Sequence, residues 1–250
     1  MKSVKKLALK LFVIALIVIL INLFILWSTG KIWLNNPSRM EYPVRGIDVS
    51  VYQGEINWEK LMDQSLDFAF IKATEGTIFV DEAYISNRKS VDELKKEYLF
   101  GFYHFFSFQS SGYDQADNFI NTVGELNGYL PPVVDIELYG KLKWDKPDKE
   151  TVILNLTMLL EKLETHYGVK PIIYTTSLTY KTYIEGNIDE YPLWIRNVFT
   201  KPKNKNWTFW QFTDKGKLFG YNGDEKFIDL NVFNGSIEDL HNLKIKTPEN

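Results

Sequence analysis

The chain contains no cysteine among its 250 residues and only three histidines, His104, His166 and His241. The first absence excludes disulfides, thiolate metal sites, a cysteine nucleophile and a lipidated N-terminal cysteine. The histidines stand at none of the close spacings that zinc hydrolases use, so a metal mechanism, zinc-dependent deacetylation included, is not expected, nor is any other cofactor. No basic run with interleaved aromatics occurs and the formal net charge is only -3, so nucleic acid is not an expected partner. Aromatic residues are plentiful, with 7 Trp and 14 Tyr, a property common in carbohydrate-binding clefts though not specific to them.

The N-terminus has a membrane signature. Lys2, Lys5, Lys6 and Lys10 precede an apolar run from Leu11 to Trp27 that only Asn22 interrupts. Counted from Leu7, the segment approaches the ~20 residues that cross a bilayer. It exceeds the ~7–15-residue core of a cleaved signal, and no small-residue cleavage site follows it. We therefore read residues 1–30 as a cytoplasmic basic tip and an uncleaved signal anchor. The lysines keep the N-terminus inside, so the rest of the chain lies on the outer side of the cell membrane. Secretion after cleavage is the alternative. Residues 31–44, with Asn35-Asn36-Pro37-Ser38, read as a linker without periodicity.

From Pro43 onward, short apolar runs alternate with helix-like segments, the pattern of parallel strands joined by crossovers. Strands are expected over 46–50, 68–73, 99–106, 132–137, 171–175, 193–196, 208–212 and 226–230. Helices are expected after the first five, over 58–64, 82–97, 113–126, 149–167 and 177–185, with a last amphipathic piece over 236–243. The fourth helix has the strongest pattern: Val152, Ile153, Leu156, Leu159, Leu160 and Leu163 recur at helical spacing, Asp148 can cap the start, and Gly168 with Pro171 stops it. The expected fold is thus α/β, an irregular TIM-like barrel of eight strands and about five helices, (β/α)5(β)3, over residues 45–245, preceded by one transmembrane helix.

In such barrels the active site lies at the C-terminal ends of the strands. The run Pro131-Pro132-Val133-Val134-Asp135-Ile136-Glu137 places two carboxylates at i and i+2, on one face of a strand and about 7 Å apart along the backbone. Burying two neighbouring acids is costly, so the pair points to chemistry. Asp48 falls late in the first expected strand and Asp229 late in the eighth. Tyr103, Tyr174, Trp194 and Gln211 fall late in the third, fifth, sixth and seventh, where they would line a binding cleft. Four carboxylates around one mouth, many aromatics and no metal ligands indicate glycoside hydrolysis. Glu137, nearest the rim and repelled by Asp135, is the better general acid. His104 and Trp58 and Trp207 read as core, Trp194 as a sugar-stacking surface, and Lys72 with Glu75 as an ion pair closing the second strand.

Eight segments in order also resemble glycoside hydrolase family 25, the lysozymes that cleave bacterial peptidoglycan. They are Gly46-Ile47-Asp48-Val49-Ser50 with Gln53-Gly54, Asp67-Phe68-Ala69-Phe70-Ile71-Lys72-Ala73-Thr74-Glu75-Gly76, Gly101-Phe102-Tyr103-His104-Phe105, Asp135-Ile136-Glu137, Pro171-Ile172-Ile173-Tyr174-Thr175, Leu193-Trp194-Ile195, Trp210-Gln211-Phe212 and Ile228-Asp229-Leu230-Asn231. The resemblance covers about residues 45 to 243. It implies hydrolysis of the β-1,4 bond between N-acetylmuramic acid and N-acetylglucosamine in peptidoglycan glycan strands. It further implies Glu137 as general acid, Asp135 as the partner that orients the substrate acetamido group, and Asp48 and Asp229 as positioning and charge-tuning acids. A direct carboxylate nucleophile is the other mechanism. A glycan-binding protein without turnover, or a related hydrolase of another N-acetylhexosamine glycan, are the competing functions. Two departures stand out. Arg196-Asn197-Val198 follows Leu-Trp-Ile where relatives often have Ala-Arg, and residues 217–226 look slightly extended.

Overall fold

The computed structural model describes residues 2–203 and 206–246; the side chain of Lys2, one of the four basic residues named above, lies outside that description. Helix α1 (Lys2–Ser28) comes first; its segment Val4–Ser28 is long and apolar enough to cross a membrane, its apolar stretch is exposed, and its last turn meets the barrel.

The remainder forms a closed eight-strand barrel with one accessory strand. Its strands are β1 (Arg45–Val49), β2 (Phe68–Glu75), β4 (Leu99–Phe105), β5 (Val133–Ile136), β6 (Ile172–Thr176), β7 (Leu193–Arg196), β8 (Trp207–Gly216) and β9 (Ile228–Phe233); β3 (Phe79–Val80) is a short hairpin partner of β2 outside the ring. Around the ring the order is β1, β2, β4, β5, β6, β7, β8, β9, closed by β9 against β1.

Each expected strand is present, but the last one runs the other way. Seven strands are parallel, whereas β9 pairs antiparallel with both β8 and β1. A parallel return would need a crossover of a dozen or more residues. The β8–β9 connection, residues 217–227, instead makes a hairpin. Asp229 therefore lies near the start of its strand, not the end, and still reaches the rim where the other strands finish.

The helices are α2 (Trp58–Met62), α3 (Tyr84–Asp92), α4 (Gly112–Val123), α5 (Lys149–Tyr167), α6 (Ser177–Thr179, continued by a π-turn over Tyr180–Ile184) and α7 (Ile237–Asn242). Helix α5 has the expected bounds, because its signals are local: the Asp148 side chain accepts from Thr151 N and Gly168 closes the end at φ 70°. Helix α3 is shorter than expected.

Alternate residues of each strand point inward. Phe68, Phe70, Val133, Ile172, Phe209 and Phe233 fill the lower barrel, while Val134, Ile136 and their counterparts face the helices. Gly46 and Gly101 occupy inward positions because the phenylalanines leave no room: a Cβ would stand 2.3 Å from the Phe68 ring and 2.6 Å from that of Phe70. Where β8 and β9 lack covering helices, residues 33–44 lie on the barrel instead. Tyr42 packs on Trp207 at 5.5 Å between ring centroids, and Trp33 on Phe212 at 6.0 Å.

Candidate active site

Above the apolar plug, the inward positions turn polar. The cavity at the C-terminal rim, about 190 Å³, is lined by Asp48, Ser50, Tyr52, Lys72, Tyr103, Phe105, Asp135, Glu137, Tyr174, Trp194 and Asp229. Of the eight site residues expected from sequence, seven line this cavity; Gln211 lies behind it.

Strand pairing brings the acids together in two sets. Asp48 and Asp229 are direct cross-strand partners on β1 and β9. Gln211, 1 % exposed, donates its Nε2 to both: 3.1 Å to Asp48 Oδ1 and 3.0 Å to Asp229 Oδ2. Its Oε1 accepts from the Tyr174 hydroxyl at 3.1 Å. Asn231 Nδ2 donates to Asp48 Oδ1 at 2.6 Å, and Asn231 Oδ1 accepts from Trp194 Nε1 at 2.8 Å. Burial raises the pKa of Asp48, opposed by the hydrogen bonds from Asn231 and Gln211. Asp229 stands well above the usual carboxylate range through burial and the charge of Asp48. The hydrogen bonds to Asp48 favour its charged form, so a proton shared by the pair is held more strongly at Asp229.

The second set is Asp135 on β5 and Glu137 just beyond its end. Asp135 is 8 % exposed and its Oδ1 has no hydrogen-bond partner in the protein. Burial, then the charges of Glu137 and Asp48, push its pKa well up, with Lys72 opposing. Glu137 is more open at the rim. Its pKa is raised by burial, with Arg196 the largest opposing influence and Lys143 adding to it. Desolvation leads that rise and Asp48 adds repulsion, while the repulsion between Asp135 and Glu137 falls chiefly on the more buried Asp135. Both acids retain protons to higher pH than free carboxyls do.

Trp194 differs from the expected sugar-stacking surface. It is 2 % exposed and packed against Phe70 at 4.7 Å and Tyr174 at 4.6 Å between ring centroids. Only part of it reaches the cavity floor, and its indole N–H holds Asn231. Gln211, expected to bind substrate, instead bridges the acids from below. Tyr103 reaches the cavity, and burial together with Asp48 and Asp135 lifts its pKa far above the ordinary value.

Three rim features escaped sequence reasoning. Asn231 could have been found, since it stands two residues after Asp229 and so shares its inward face. Arg196, noted only as a departure, pairs with Asp214 at 2.7 Å and acts on Glu137. Tyr52 (67 % exposed) and Tyr139 (47 % exposed) are open rings at this rim, the kind of surface on which a sugar can stack. Tyr52 is set by a capping box in which Ser50 and Gln53 exchange hydrogen bonds with each other's backbone.

The residues expected to be structural are so. His104 is fully buried between Thr74 Oγ1 at 2.8 Å and Gln115 Oε1 at 3.1 Å, and burial lowers its pKa to about 4. Gln115 Nε2 donates to Ser107 O and Ser110 O, so its oxygen faces the ring and the proton sits on His104 Nε2. Trp58 is buried on Asn87 Oδ1, and Lys72 pairs with Glu75 at 2.7 Å. Among the described residues no group of His, Asp and Glu is arranged to hold a metal ion.

Residues 47–221 match the family described as glycosyl hydrolases family 25. The fold superposes on a family 25 glycosyl hydrolase from Bacillus anthracis with a TM-score of 0.77 and 45 % identity, covering 84 % of this chain and 97 % of that one. A bacterial lysozyme from Streptomyces coelicolor gives 0.71 at 31 % identity, over 80 % and 96 % of the two chains. In sequence, lysozyme M1 of Streptomyces globisporus is 34 % identical over 77 % of this chain and 68 % of its own length, and the uncharacterised protein YegX of Escherichia coli K12 is 39 % identical over 80 % and 72 %. With a barrel, a paired-acid rim and a family match that extends over most of its length, the chain belongs to glycosyl hydrolases family 25 and is a glycoside hydrolase of the lysozyme (N-acetylmuramidase) class.

Proposed function

We propose that the protein is a membrane-anchored lysozyme that hydrolyses the β-1,4 bond between N-acetylmuramic acid and N-acetylglucosamine in peptidoglycan, with α1 spanning the membrane and the barrel outside it. The observation that carries the reading is the Asp135–Glu137 pair, with one buried carboxylate oxygen that no protein donor meets.

Glu137 serves as general acid. Its raised pKa keeps its proton to higher pH than a free carboxyl would, and its place beyond β5 gives it access to a glycosidic oxygen. Asp135 Oδ1 accepts the acetamido N–H of the muramic acid unit; that hydrogen bond offsets part of the desolvation and favours its ionised form. The acetamido oxygen so oriented attacks the anomeric carbon as the C1–O4 bond breaks. Glu137 passes its proton to the leaving O4. Water then adds to the anomeric carbon of the cyclic intermediate and returns a proton to Glu137. Asp135 is a poor direct nucleophile because burial and the charge of Glu137 disfavour its ionised form in the free protein. Asp48 supplies negative charge to the oxocarbenium-like centre, with Gln211, Asn231 and Asp229 fixing its orientation.

The test is muropeptide analysis of peptidoglycan digested by the full chain in detergent, wild type beside Glu137→Gln. New reducing ends at N-acetylmuramic acid are expected, with at least ~100-fold less product from the variant, the effect typical of losing a general acid. Full activity in Glu137→Gln, or reducing ends at N-acetylglucosamine, would overturn the assignment.

A further inference from the structure

Helix α1 joins the barrel without slack. At its end Gly30 takes φ 64°, and the amides of Lys31 and Ile32 both return to Leu26 O, at 2.9 and 3.2 Å. Gly30 itself is buried: a Cβ there would meet Lys215 O at 2.7 Å and the Phe227 ring at 2.8 Å. Trp27, in the last turn of α1, lies 4.4 Å beneath Lys215 Nζ, and Trp33 Nε1 donates to Lys215 O at 3.2 Å. The anchor is thus seated on the two arms of the β8–β9 hairpin.

That seat defines an end of the barrel. Lys215 closes β8 four residues beyond Gln211, and Phe227 precedes Asp229 by two. The chain then descends the outer wall. Asn35 donates to Asn197 O at 3.1 Å, Pro37 O accepts from Arg45 Nη2 at 2.6 Å, and β1 begins at the foot. The helix therefore leaves from the catalytic rim and not from the opposite end. Around its exit stand Lys31, Lys215 and Lys217 with exposed Leu34 (57 %), a mixture suited to lipid headgroups and the interface below them, whereas Phe219 is held by Gln64 past the end of α2. Of the nearby acids, Asp214 pairs with Arg196, while the exposed Asp224 and Glu225 lie on a turn whose backbone is tied to Gln53 O and Tyr52 O.

We propose that the catalytic rim is the membrane-proximal end of the barrel, with the β8–β9 hairpin lying on the lipid surface, so that the cleft acts on glycan held close to the bilayer. At ~3.3 Å per residue, Asp229 lies only about 7 Å and Gln211 about 13 Å along their strands from the anchor's seat. The substrate class is then glycan strands within roughly 20 Å of the membrane face, not the outer layers of a wall. This inference rests on α1 being inserted.

The absence of cysteine permits single labels. Full chain carrying Lys217→Cys (hairpin, at the anchor's seat) or Asn127→Cys (exposed, at the foot before β5) is labelled with an environment-sensitive fluorophore and reconstituted in phosphatidylcholine–phosphatidylglycerol vesicles. Quenching by headgroup-spin-labelled lipid is measured beside alkaline extraction. The expected result is quenching at least about twofold at 217 and none at 127, with the protein resistant to extraction. Leu34→Cys, exposed beside Trp33, repeats the measurement should the first label fold poorly. Equal quenching at the two positions, or stronger quenching at 127, in an extraction-resistant protein would overturn the orientation alone. Release by alkali would overturn both the anchor reading and the orientation.

Discussion

Replacing Gln211 by leucine tests the reading of the rim as a prearranged acid network. The change keeps side-chain bulk in a site 1 % exposed and removes one acceptor and a two-way donor. The Tyr174 hydroxyl, buried, loses its acceptor, at about 1–3 kcal/mol. Asp48 keeps Asn231 but loses a charge-assisted bond of similar worth, while leucine gains some apolar contact. The net expectation is a loss of about 3 kcal/mol, which for a domain of this size lowers Tm by roughly 6–12 °C. The pH dependence has a definite sign. Asp48 and Asp229 both have folded pKa values raised above those of free carboxyls, so their contribution is present below the unfolded pKa and lost as pH rises through the folded one. Without the amide, Asp48 rises further, and the variant loses more stability between about pH 4 and pH 7 than wild type does. The assay is thermal unfolding of the full chain in detergent, followed by tryptophan fluorescence at both pH values. An unchanged Tm, or a deficit larger at pH 4 than at pH 7, would refute the reasoning.

Other perturbations follow from the same geometry. Arg196→Ala removes the largest influence holding Glu137 down, so the alkaline limb of the pH–activity profile, where the general acid loses its proton, should move to higher pH; an unmoved or lowered limb would contradict this. His104, with its pKa depressed to about 4, contributes stability above the unfolded value of ~6.5 that is lost as pH falls toward 4. The raised carboxyls act in the opposite direction over that range, so the effect is read as a difference: His104→Gln should reduce the acid loss by up to ~3 kcal/mol, and identical slopes in urea unfolding would refute it. Tyr52→Ala and Tyr139→Ala should each raise KM for glycan by roughly 2–10-fold with kcat nearly unchanged, the worth of one stacked ring; an effect confined to kcat would place them in the chemistry instead.

Much of this molecule is written locally. The α5 boundaries follow from Asp148, the leucine spacing and Gly168, all within one stretch of chain. The shared face of Asp135 and Glu137 follows from the period of two in a strand, and His104 reads as core from its apolar flanks. The basic and apolar blocks of α1 likewise identify a possible span by themselves. Direction and depth, by contrast, are set by partners far away in sequence. Nothing within Ile228–Phe233 says that the strand runs antiparallel; the short hairpin and the demand of β1 for an edge partner decide it, and so place Asp229 on the rim. Trp194 carries the same indole whether exposed or buried, and only the arrival of Phe70, Tyr174 and Asn231 closes it off. The proton shared by Asp48 and Asp229, and the direction in which Arg196 moves Glu137, depend on distances across strands that local sequence does not encode. Sequence supplied the residue types and their alternation; barrel closure supplied the neighbours, and with them the charge states on which the chemistry depends.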